Sequence, residues 1–460
     1  MAERIVCISN RVSVPRRAAA PGGLAVGVLG ALKHSGGIWF GWGGELAERE
    51  PDGPDMHVRD GVTYATLTLR REEFNRYYNG FSNDALWPLF HYMSTKFRYR
   101  PHERDAYESI NRQFARHLQP LLREGDLLWV HDYHLIPLAR HLRELGVDAP
   151  IGFFLHIPFP YIETLRVLPN YAELVRDLTR YDVVGFQTDS DLTSFHSAVA
   201  HVFGPGCLSR KPRICLADRA LRAGVFPIGV DVDGIVAETK RASGAEKVRR
   251  MVDSLQGKRL VIGVDRLDYS KGLVERFAAY EQFLEAFPDN RGRITYLQIA
   301  PVSRKDVGSY VEIRRLLEQA TGRTNGRFAD TDWTPIRYLN RNFPHEALMG
   351  FLRSAHVGLV TPLRDGMNLV AKEYVAAQDP SDPGVLVLSS LAGAACELDA
   401  AIQVNPYDPC AVGQALQSAL TMSLSERRER HSALLSVVKQ NDIHAWSDRF
   451  IAALRAVRDE

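Results

Sequence analysis

The chain has 460 residues, more than one ordinary hydrophobic core accommodates, so we expect two domains. Charged residues make up 24% of the chain and apolar residues 45%, as in a globular protein. The 57 basic and 55 acidic side chains leave a net charge of +2, which gives no electrostatic reason to expect nucleic acid or an anionic membrane as a partner.

Short apolar runs rich in β-branched residues recur along the chain, and most are separated by segments of helix length. This alternation is typical of parallel sheets covered by helices on both faces. We therefore predict an α/β fold of two Rossmann-like, doubly wound domains. The predicted strands lie within residues 4–9, 126–132, 151–158, 182–188, 259–265, 294–300, 357–362 and 384–390.

We predict a domain boundary in VFPIGVDVDG, residues 225–234, where a strand-like run ends in proline and glycine. We expect an N-terminal domain over 1–228, a C-terminal domain over 229–435, and a closing helix over 436–460, where apolar residues recur at roughly helical spacing. Ligands of such folds bind beyond the carboxyl ends of the strands, so two facing domains predict one cleft.

Polar side chains follow several predicted strands. Arg11, Asp132 and His156 follow three strands of the first domain, and Arg266 and Lys271 follow the first strand of the second. Taken singly, Arg11 is equally explained as a solvated charge, Asp132 as a helix N-cap and His156 as a structural histidine. Taken together at strand ends, these residues favour a binding site.

Two segments have features of anion sites. Arg266 and Lys271 precede a predicted helix, and two cations beside a helix N-terminus suit a diphosphate, although a solvated turn has the same sequence. Gly22 and Gly23, before a helix predicted from Leu24, allow close backbone approach to a ligand. That segment matches neither GxGxxG nor GK[ST], so it is a weak signal by itself.

No metal or cofactor is predicted. DxD triplets occur at Asp189/Asp191, Asp231/Asp233 and Asp330/Asp332, a spacing that arises readily by chance among so many acidic residues. His131, Asp132 and His134 lack further ligands at a zinc-site spacing.

The cysteine pattern favours the reducing cytoplasm. The five cysteines are odd in number and form no CxxC pair, which indicates neither a disulfide framework nor a thiolate zinc site. The first apolar run is far shorter than a signal peptide requires, and no stretch approaches the roughly 18 apolar residues of a membrane span. We expect a cytoplasmic protein.

Long motifs in fixed order identify a family. The chain contains SNRV, GGLAVGVLGAL, WFGWGGE, YYNGFSNDALWPLFHY, WVHDYHLIPLA, GFFLHIPFP, DRLDYSKGL, QIAPVSR and VGLVTPLRDGMNLVAKEYVAAQDP. These closely resemble bacterial trehalose-6-phosphate synthase over nearly the whole chain. The resemblance implies the GT-B architecture and metal-independent transfer of glucose, with retention, from a nucleotide diphosphate sugar, usually UDP-glucose, to glucose 6-phosphate.

The resemblance also implies roles for individual residues. Asp365 matches a residue that binds the donor sugar's hydroxyls and Glu373 one that binds the ribose hydroxyls, because a carboxylate accepts from two hydroxyls at once. His156 matches a residue that reaches the donor glucose. The other donor-binding positions are Gly22, Gly23, Arg266, Lys271 and the backbone of Gly366, Met367, Asn368, Leu369 and Val370, where a helix is expected to begin near Asn368.

The acceptor side matches as well. Arg11 and Arg304 correspond to arginines that bind the acceptor phosphate, and Asp132 to a residue that contacts its hydroxyls. Trp42, Tyr78 and Trp87 correspond to the pocket lining, although Trp42 is equally explained as a core aromatic. Among these residues Asp132, His156, Arg266 and Lys271 are the catalytic candidates, in a front-face reaction without a covalent nucleophile.

Two other functions are compatible with the architecture. A sugar-nucleotide epimerase also uses two Rossmann-like domains, but it needs no arginine pair for an acceptor phosphate. A non-catalytic sugar-phosphate sensor is expected to have lost some of the motif residues. The choice among UDP, GDP and ADP donors is open, and a homo-oligomer, dimer or tetramer, is expected only by resemblance.

Overall fold

The computed structural model describes residues 3–12, 14, 28–30, 32–33, 36–49, 52–208, 213–242, 244–301 and 308–458. Gly22, Gly23 and Arg304, and the predicted helix start at Leu24, lie outside these residues. The chain divides into two compact units: the first is Met1–Pro227 with Ile443–Glu460, and the second is Ile228–Asp442.

The first unit is built on a nine-stranded sheet in the order β3-β4-β2-β1-β5-β6-β7-β9-β8. All neighbours in it pair in parallel except the two edge strands, β3 on β4 and β8 on β9, which are antiparallel. The strand order reverses between β1 and β5, the position where open α/β sheets bind ligands. The strands are β1 Arg4–Arg11, β2 Ile38–Ala47, β3 Asp55–Arg59, β4 Val62–Arg70, β5 Asp126–His131, β6 Ile151–Phe154, β7 Val183–Phe186, β8 Arg213–Cys215 and β9 Ala220–Val225.

The second unit is built on a six-stranded, wholly parallel sheet in the order β12-β11-β10-β13-β14-β15. Numbered from its own first strand, this is the 3-2-1-4-5-6 order of dinucleotide-binding folds, with the reversal between β10 and β13. The strands are β10 Arg259–Val264, β11 Ile294–Ile299, β12 Ile336–Leu339, β13 Val357–Val360, β14 Val385–Ser389 and β15 Ile402–Val404.

Helices connect these strands. In the first unit they are α1 Arg71–Phe74, a π-helix Asn75–Leu86, α2 Trp87–Phe90, α3 Pro101–Leu118, α4 Leu138–Glu144, α5 Ile162–Leu165, α6 Tyr171–Leu178 and α7 Asp189–Phe203. In the second they are α8 Val232–Ala242, α9 Glu246–Asp253, α10 Leu273–Ala286, α11 Gly308–Phe328, α12 His345–Arg353, α13 Leu369–Ala377, α14 Pro409–Thr421 and α15 Leu424–Gln440; α16 Ile443–Arg458 returns to the first unit.

The burial of each strand explains why some strands were visible in the sequence. Every residue of β5, β6, β7, β11 and β13 is buried. β6, β7 and β13 are continuous apolar runs, whereas β5 has Asp126 and His131 at its ends and β11 contains Thr295 and Gln298. All eight predicted strands are present, and the predicted α/β class of two parallel-sheet domains is confirmed. The strands without a prediction are the edge strands β3, which is exposed along its whole length, β8, β12 and β15, and the inner strands β2, β4 and β9.

The closing segment differs from the prediction. Residues 436–460 contain the end of α15 and then the separate helix α16, because Asn441 leaves helical geometry (φ −111°, ψ 49°) and its side-chain amide donates to Glu397 Oε1 at 2.8 Å. The division after Pro227 lies one residue before the predicted boundary, and the second unit runs on to Asp442. No described helix has the length and apolar character that crossing a bilayer requires.

Candidate active site

The second unit brings two loops together at the reversal of its strand order. The loop after β10 carries Arg266 and Lys271, and the loop after β13 carries Asp365. The Lys271 ammonium forms an ion pair with the Asp365 carboxylate, although the residues lie 94 positions apart. We call Arg266, Lys271, Asp365 and Glu373 the second-unit site.

The loop after β10 is held from within. Asp268 caps the short 3₁₀ turn Tyr269–Lys271: its Oδ1 accepts from Ser270 N at 2.9 Å, and its Oδ2 accepts from Tyr310 Oη at 2.8 Å. The backbone of Ser270 in turn accepts from Leu363 N at 2.8 Å, which ties this loop to the one after β13. The position of Lys271 is therefore set by main-chain contacts as well as by its ion pair.

Arg276 lies beneath both loops and is a residue that the sequence analysis missed. It is 1% exposed and forms an ion pair with Asp265, the residue after β10. Its Nε donates to Thr361 Oγ1 at 2.9 Å and its Nη2 to Lys271 O at 3.2 Å, so one guanidinium binds the ends of both strands. A single arginine within a helical segment carries no sequence signal for this role.

The amino end of α13 begins as predicted, after Asn368. Asn368 adopts a left-handed conformation (φ 73°, ψ 85°), its side chain does not cap the helix, and its Nδ2 donates to Asp365 Oδ2 at 2.9 Å. The first N–H groups of a helix have no intrahelical partner and attract anions. The amides of Leu369 and Val370 therefore lie at an anion-binding helix end next to Asp365 and Lys271.

Close packing of two loop backbones supports that helix end. A Cβ on Gly393 would lie 1.8 Å from Gly366 O, so only glycine is compatible with this approach. Gly393 N donates to Asp365 O at 3.1 Å and Ala394 N to Met367 O at 2.8 Å. Residues 365–367 are thereby fixed by the segment after β14.

The first unit brings together the residues that follow β5 and β6. Asp132 has φ 76° and ψ 164°, a region that is almost restricted to glycine. Its side chain makes no helix-capping hydrogen bond; instead Oδ1 accepts from His156 N at 3.3 Å. The N-cap explanation of Asp132 is therefore wrong, and its strained backbone favours a functional role.

The proton positions of His131 and His156 follow from their contacts. His131 Nδ1 lies 3.1 Å from His156 Nε2, and burial lowers the pKa of His156 to about 3 and that of His131 well below its usual value, so both rings are neutral. His131 Nε2 is buried and has no hydrogen-bond partner among the residues that the structure describes. An unpaired buried acceptor is less costly than an unpaired donor, so Nδ1 of His131 carries the proton and donates to His156 Nε2. His156 then carries its own proton on Nδ1, as a neutral donor.

Aromatic rings connect the other acceptor-side candidates. The Arg11 guanidinium lies 5.3 Å from the centre of the Trp42 ring, and Trp42 packs on Phe74 at 4.4 Å. Phe74 stacks on Tyr78 at 5.0 Å, and Tyr78 stacks on His134 at 5.5 Å. We call Arg11, Trp42, Tyr78, Asp132 and His156 the first-unit site.

Trp87 stands apart from that row. It is 4% exposed and packs on His91 at 4.1 Å and on Tyr133 at 5.7 Å. The ring therefore supports the residue next to Asp132, and little of its surface is accessible to a ligand.

The DxD triplets have structural partners. Asp191 is buried and accepts from Phe159 N at 2.9 Å, Asp231 accepts from Gly234 N at 2.9 Å, and Asp330 accepts from Thr331 N at 2.7 Å. In the part of the chain that the structure describes, no three His, Cys, Asp or Glu side chains form a group that could hold a metal ion.

The chain is similar to known proteins over nearly its whole length. The model of glycosyltransferase family 20 matches residues 10–456. A trehalose-6-phosphate synthase from Klebsiella pneumoniae is 48% identical over 458 residues, which cover 99% of this chain and 95% of the relative. A crystal structure of a UDP-forming alpha,alpha-trehalose-phosphate synthase from Burkholderia vietnamiensis has a TM-score of 0.96 at 50% identity and 99% coverage of both chains.

A second solved structure is similar over its whole length. It is a UDP-forming synthase from Burkholderia xenovorans in complex with glucose-6-phosphate, with a TM-score of 0.93 at 46% identity, covering 98% of this chain and 100% of that one. These similarities assign the two units to the predicted GT-B class. With a family match over nearly its full length and relatives at this level of identity, the chain belongs to glycosyltransferase family 20.

Proposed function

We propose that this chain transfers glucose from UDP-glucose to glucose 6-phosphate, with retention, and releases α,α-trehalose 6-phosphate and UDP. The strongest structural support is the ion pair of Lys271 with Asp365 at the strand-order reversal of the second sheet, which joins a cation to a carboxylate beside the amino end of α13. The relatives named as UDP-forming synthases support the donor, and the relative that holds glucose-6-phosphate supports the acceptor.

The second-unit site binds the donor in this proposal. Asp365 accepts from hydroxyls of the glucose, Glu373 accepts from the ribose hydroxyls, and the diphosphate lies at Arg266, Lys271 and the helix amides. The Lys271 ammonium is paired with the Asp365 carboxylate in the structure. Its attraction for the diphosphate is therefore strongest in the transition state, when the departing oxygen gains negative charge. Because Lys271 binds the diphosphate more strongly in the transition state than in the ground state, it accelerates the transfer.

The first-unit site binds the acceptor. Arg11 meets the phosphate by charge-assisted hydrogen bonds, Asp132 accepts from sugar hydroxyls, and Tyr78 and Trp42 support one edge of the site. His156, as a neutral Nδ1 donor, contacts the donor glucose. Arg304 as second phosphate ligand and Gly22 and Gly23 on the donor side remain predictions, because they lie outside the described residues.

Retention follows from attack on the face that the diphosphate leaves. The acceptor hydroxyl forms the new C–O bond at the anomeric carbon, the C–O bond to the diphosphate breaks, and a leaving phosphate oxygen takes the hydroxyl proton. The protein positions both substrates and stabilises the charge on the leaving group. No metal or cofactor takes part in this proposal.

The reaction is placed in the cytoplasm, where nucleotide sugars and hexose phosphates are found. All five cysteines are free, including the buried Cys7 and Cys207, which suits a reducing compartment. We propose a homo-oligomer on the strength of the family resemblance alone.

The test is release of nucleoside diphosphate by purified protein from UDP-, GDP- and ADP-glucose, each with and without glucose 6-phosphate and without added metal. We expect release that requires the acceptor and is fastest from UDP-glucose, with trehalose 6-phosphate as the sugar product. The absence of acceptor-dependent release from every donor would favour the epimerase or the sensor.

A variant links this activity to the second-unit site. Lys271→Ala should lower turnover by roughly 100- to 1000-fold, the usual loss for one preorganised charge donor, and leave the acceptor KM nearly unchanged. Lys258→Ala is the matched control, since that ammonium donates to Gln256 in the same unit, away from the site. Near-normal turnover of Lys271→Ala with a raised acceptor KM would refute the assignment of Lys271.

A further inference from the structure

His345 lies between two carboxylates of the second unit. It is the first residue of α12, and its Nδ1 is 2.6 Å from Oε2 of Glu238 on α8. On the other side of the ring, Nε2 is 3.8 Å from Oε1 of Glu373 on α13, an ion-pair distance. The side chains of Glu238, His345 and Glu373 are 11%, 25% and 15% exposed, so water screens these contacts only in part.

The geometry requires a charged ring. A carboxylate only accepts hydrogen bonds, so Nδ1 must carry a proton to bond Glu238. A neutral ring would then present its Nε2 lone pair to a second carboxylate, which is repulsive, whereas an imidazolium is attracted to both. The contacts with Glu373 and Glu238 raise the pKa of His345 to about 9, although burial acts in the opposite direction.

The helix end and the charged side chains around His345 affect whether its ring is protonated. The amino end of α12 itself disfavours a cation, so the two carboxylates have to outweigh the helix dipole. Basic residues also lie on the packed helices: Lys372 of α13 donates to Glu397 and to Ile228 O, and Lys247 of α9 lies over the Phe343 ring, 5.3 Å from its centre. The others are Lys240 and Arg241 on α8 and Arg249 and Arg250 on α9. The charges that act on the pKa of His345 are those of Glu373 and Glu238.

We propose that His345 is a positioning residue whose imidazolium holds the Glu373 carboxylate ready for the ribose hydroxyls of the nucleotide sugar, anchored by Glu238, so that donor affinity falls in alkaline solution. This inference rests on the proposed donor-binding role of Glu373. A histidine with a raised pKa contributes fully below its ordinary pKa, and its contribution is lost as the pH rises through about 9. Below that pH, Glu373 is oriented; above it, Glu373 loses its cationic partner.

The experiment measures the donor KM and kcat, and the dissociation constant of UDP, from pH 7 to pH 10. For the wild type we expect a constant donor KM near neutrality that rises about tenfold by pH 10, with the acceptor KM unchanged. His345→Gln should raise the donor KM about tenfold at pH 7, because the charge-assisted hydrogen bond from a ribose hydroxyl to Glu373 is weakened. His345→Arg, which stays charged, should keep tight donor binding and show a smaller alkaline rise than the wild type.

Two controls separate this effect from others. Uracil loses a proton in the same alkaline range, and because that loss raises the donor KM of the wild type and of His345→Arg alike, the contribution of His345 is the difference between the two. His141→Gln removes another buried histidine that bridges two carboxylates, Glu108 and Glu144, each at 3.2 Å, in the first unit. His141→Gln should leave the donor KM, and the dependence of the donor KM on pH, as in the wild type.

The outcomes distinguish the two proposals. If the wild type shows no acceptor-dependent UDP release, the proposed function fails, and the dissociation constant of UDP still tests His345. An alkaline rise as large in His345→Arg as in the wild type, or a normal donor KM in His345→Gln, would overturn the role of His345 while the synthase activity stands. If His345→Gln does not fold, Glu238→Gln replaces it, and the alkaline rise should then begin at a lower pH than in the wild type.

Discussion

At the scale of single residues, the backbone of Asp132 is held in a conformation that an L-amino acid rarely adopts. The surrounding hydrogen bonds enforce it: Asp132 N donates to Phe154 O at 2.8 Å, and Asp132 O accepts from Leu135 N at 3.1 Å. Such strain costs roughly 1–3 kcal/mol and persists where the structure over-determines it, commonly at functional sites. The strained backbone positions the Asp132 carboxylate beside His156.

Replacing Asp132 by glycine and by alanine separates strain from chemistry. Both variants lose the carboxylate and its bond from His156 N, so both should lose most activity. Glycine relieves the backbone, so Asp132→Gly should exceed Asp132→Ala in free energy of unfolding by about 1–3 kcal/mol. Denaturant unfolding of both variants measures the difference, and equal stabilities would show that the backbone is unstrained.

At the scale of elements, the segment from Asp268 to Gly272 shapes the loop that carries Lys271. Gly272 has φ 63° and ψ 32° and leads into α10. A Cβ at this position would lie 2.6 Å from Thr361 O, so the turn and the end of β13 approach each other as closely as glycine allows. The distance between Lys271 and Asp365 therefore depends on a residue without a side chain.

Gly272→Ala should displace this loop. We expect a loss of stability of about 1–2 kcal/mol from the left-handed backbone, together with a raised donor KM and a lowered kcat from movement of Lys271. Gly257→Ala is a matched control, because Gly257 has φ 78° but nothing within 4 Å of the added Cβ. It should lose about 1–2 kcal/mol from the left-handed backbone alone, less than Gly272→Ala, and keep its kinetics; a kinetic loss equal in both variants would contradict the role of Gly272.

At the scale of the whole molecule, the chain returns to its first unit through α16. Trp446 is fully buried and packs on Trp129 at 4.9 Å. A Cβ on Gly152 or Gly185 would lie 2.7 or 2.8 Å from the Phe450 ring, so glycines on β6 and β7 admit this helix. The last residues of the chain thus complete the core of the unit in which the chain begins.

Trp446→Ala should therefore destabilise the first unit specifically. Loss of a buried tryptophan costs about 3–5 kcal/mol, so amides of β5, β6 and β7 should lose protection from hydrogen exchange. Amides of β10 and β11, in the second unit, should keep theirs. Arg449→Ala, an exposed position on the same helix, should change neither set, and uniform loss of protection in both units by Trp446→Ala would contradict this assignment.

Some features of the fold were accessible from sequence because they are local. The strands β5, β6, β7, β11 and β13 are buried on both faces, and that burial gives each of them a predominantly apolar sequence. The start of α13 after Asn368 was predicted within the motif of Asp365. The exposed β3 and the break at Asn441 were missed, because solvent contact and side-chain contacts from distant residues leave no periodic pattern.

The sequence by itself determined the family, the two α/β domains and the residues that follow the strands, since these depend on motif order and apolar periodicity. Only the tertiary structure decided which side chains meet: Arg276 with Asp265 and Thr361, His131 with His156, and His345 between Glu238 and Glu373. These partners come from separate strands and helices, and their contacts depend on strand order. No local sequence pattern specifies the strand order, because the strands take their places only when the two sheets form.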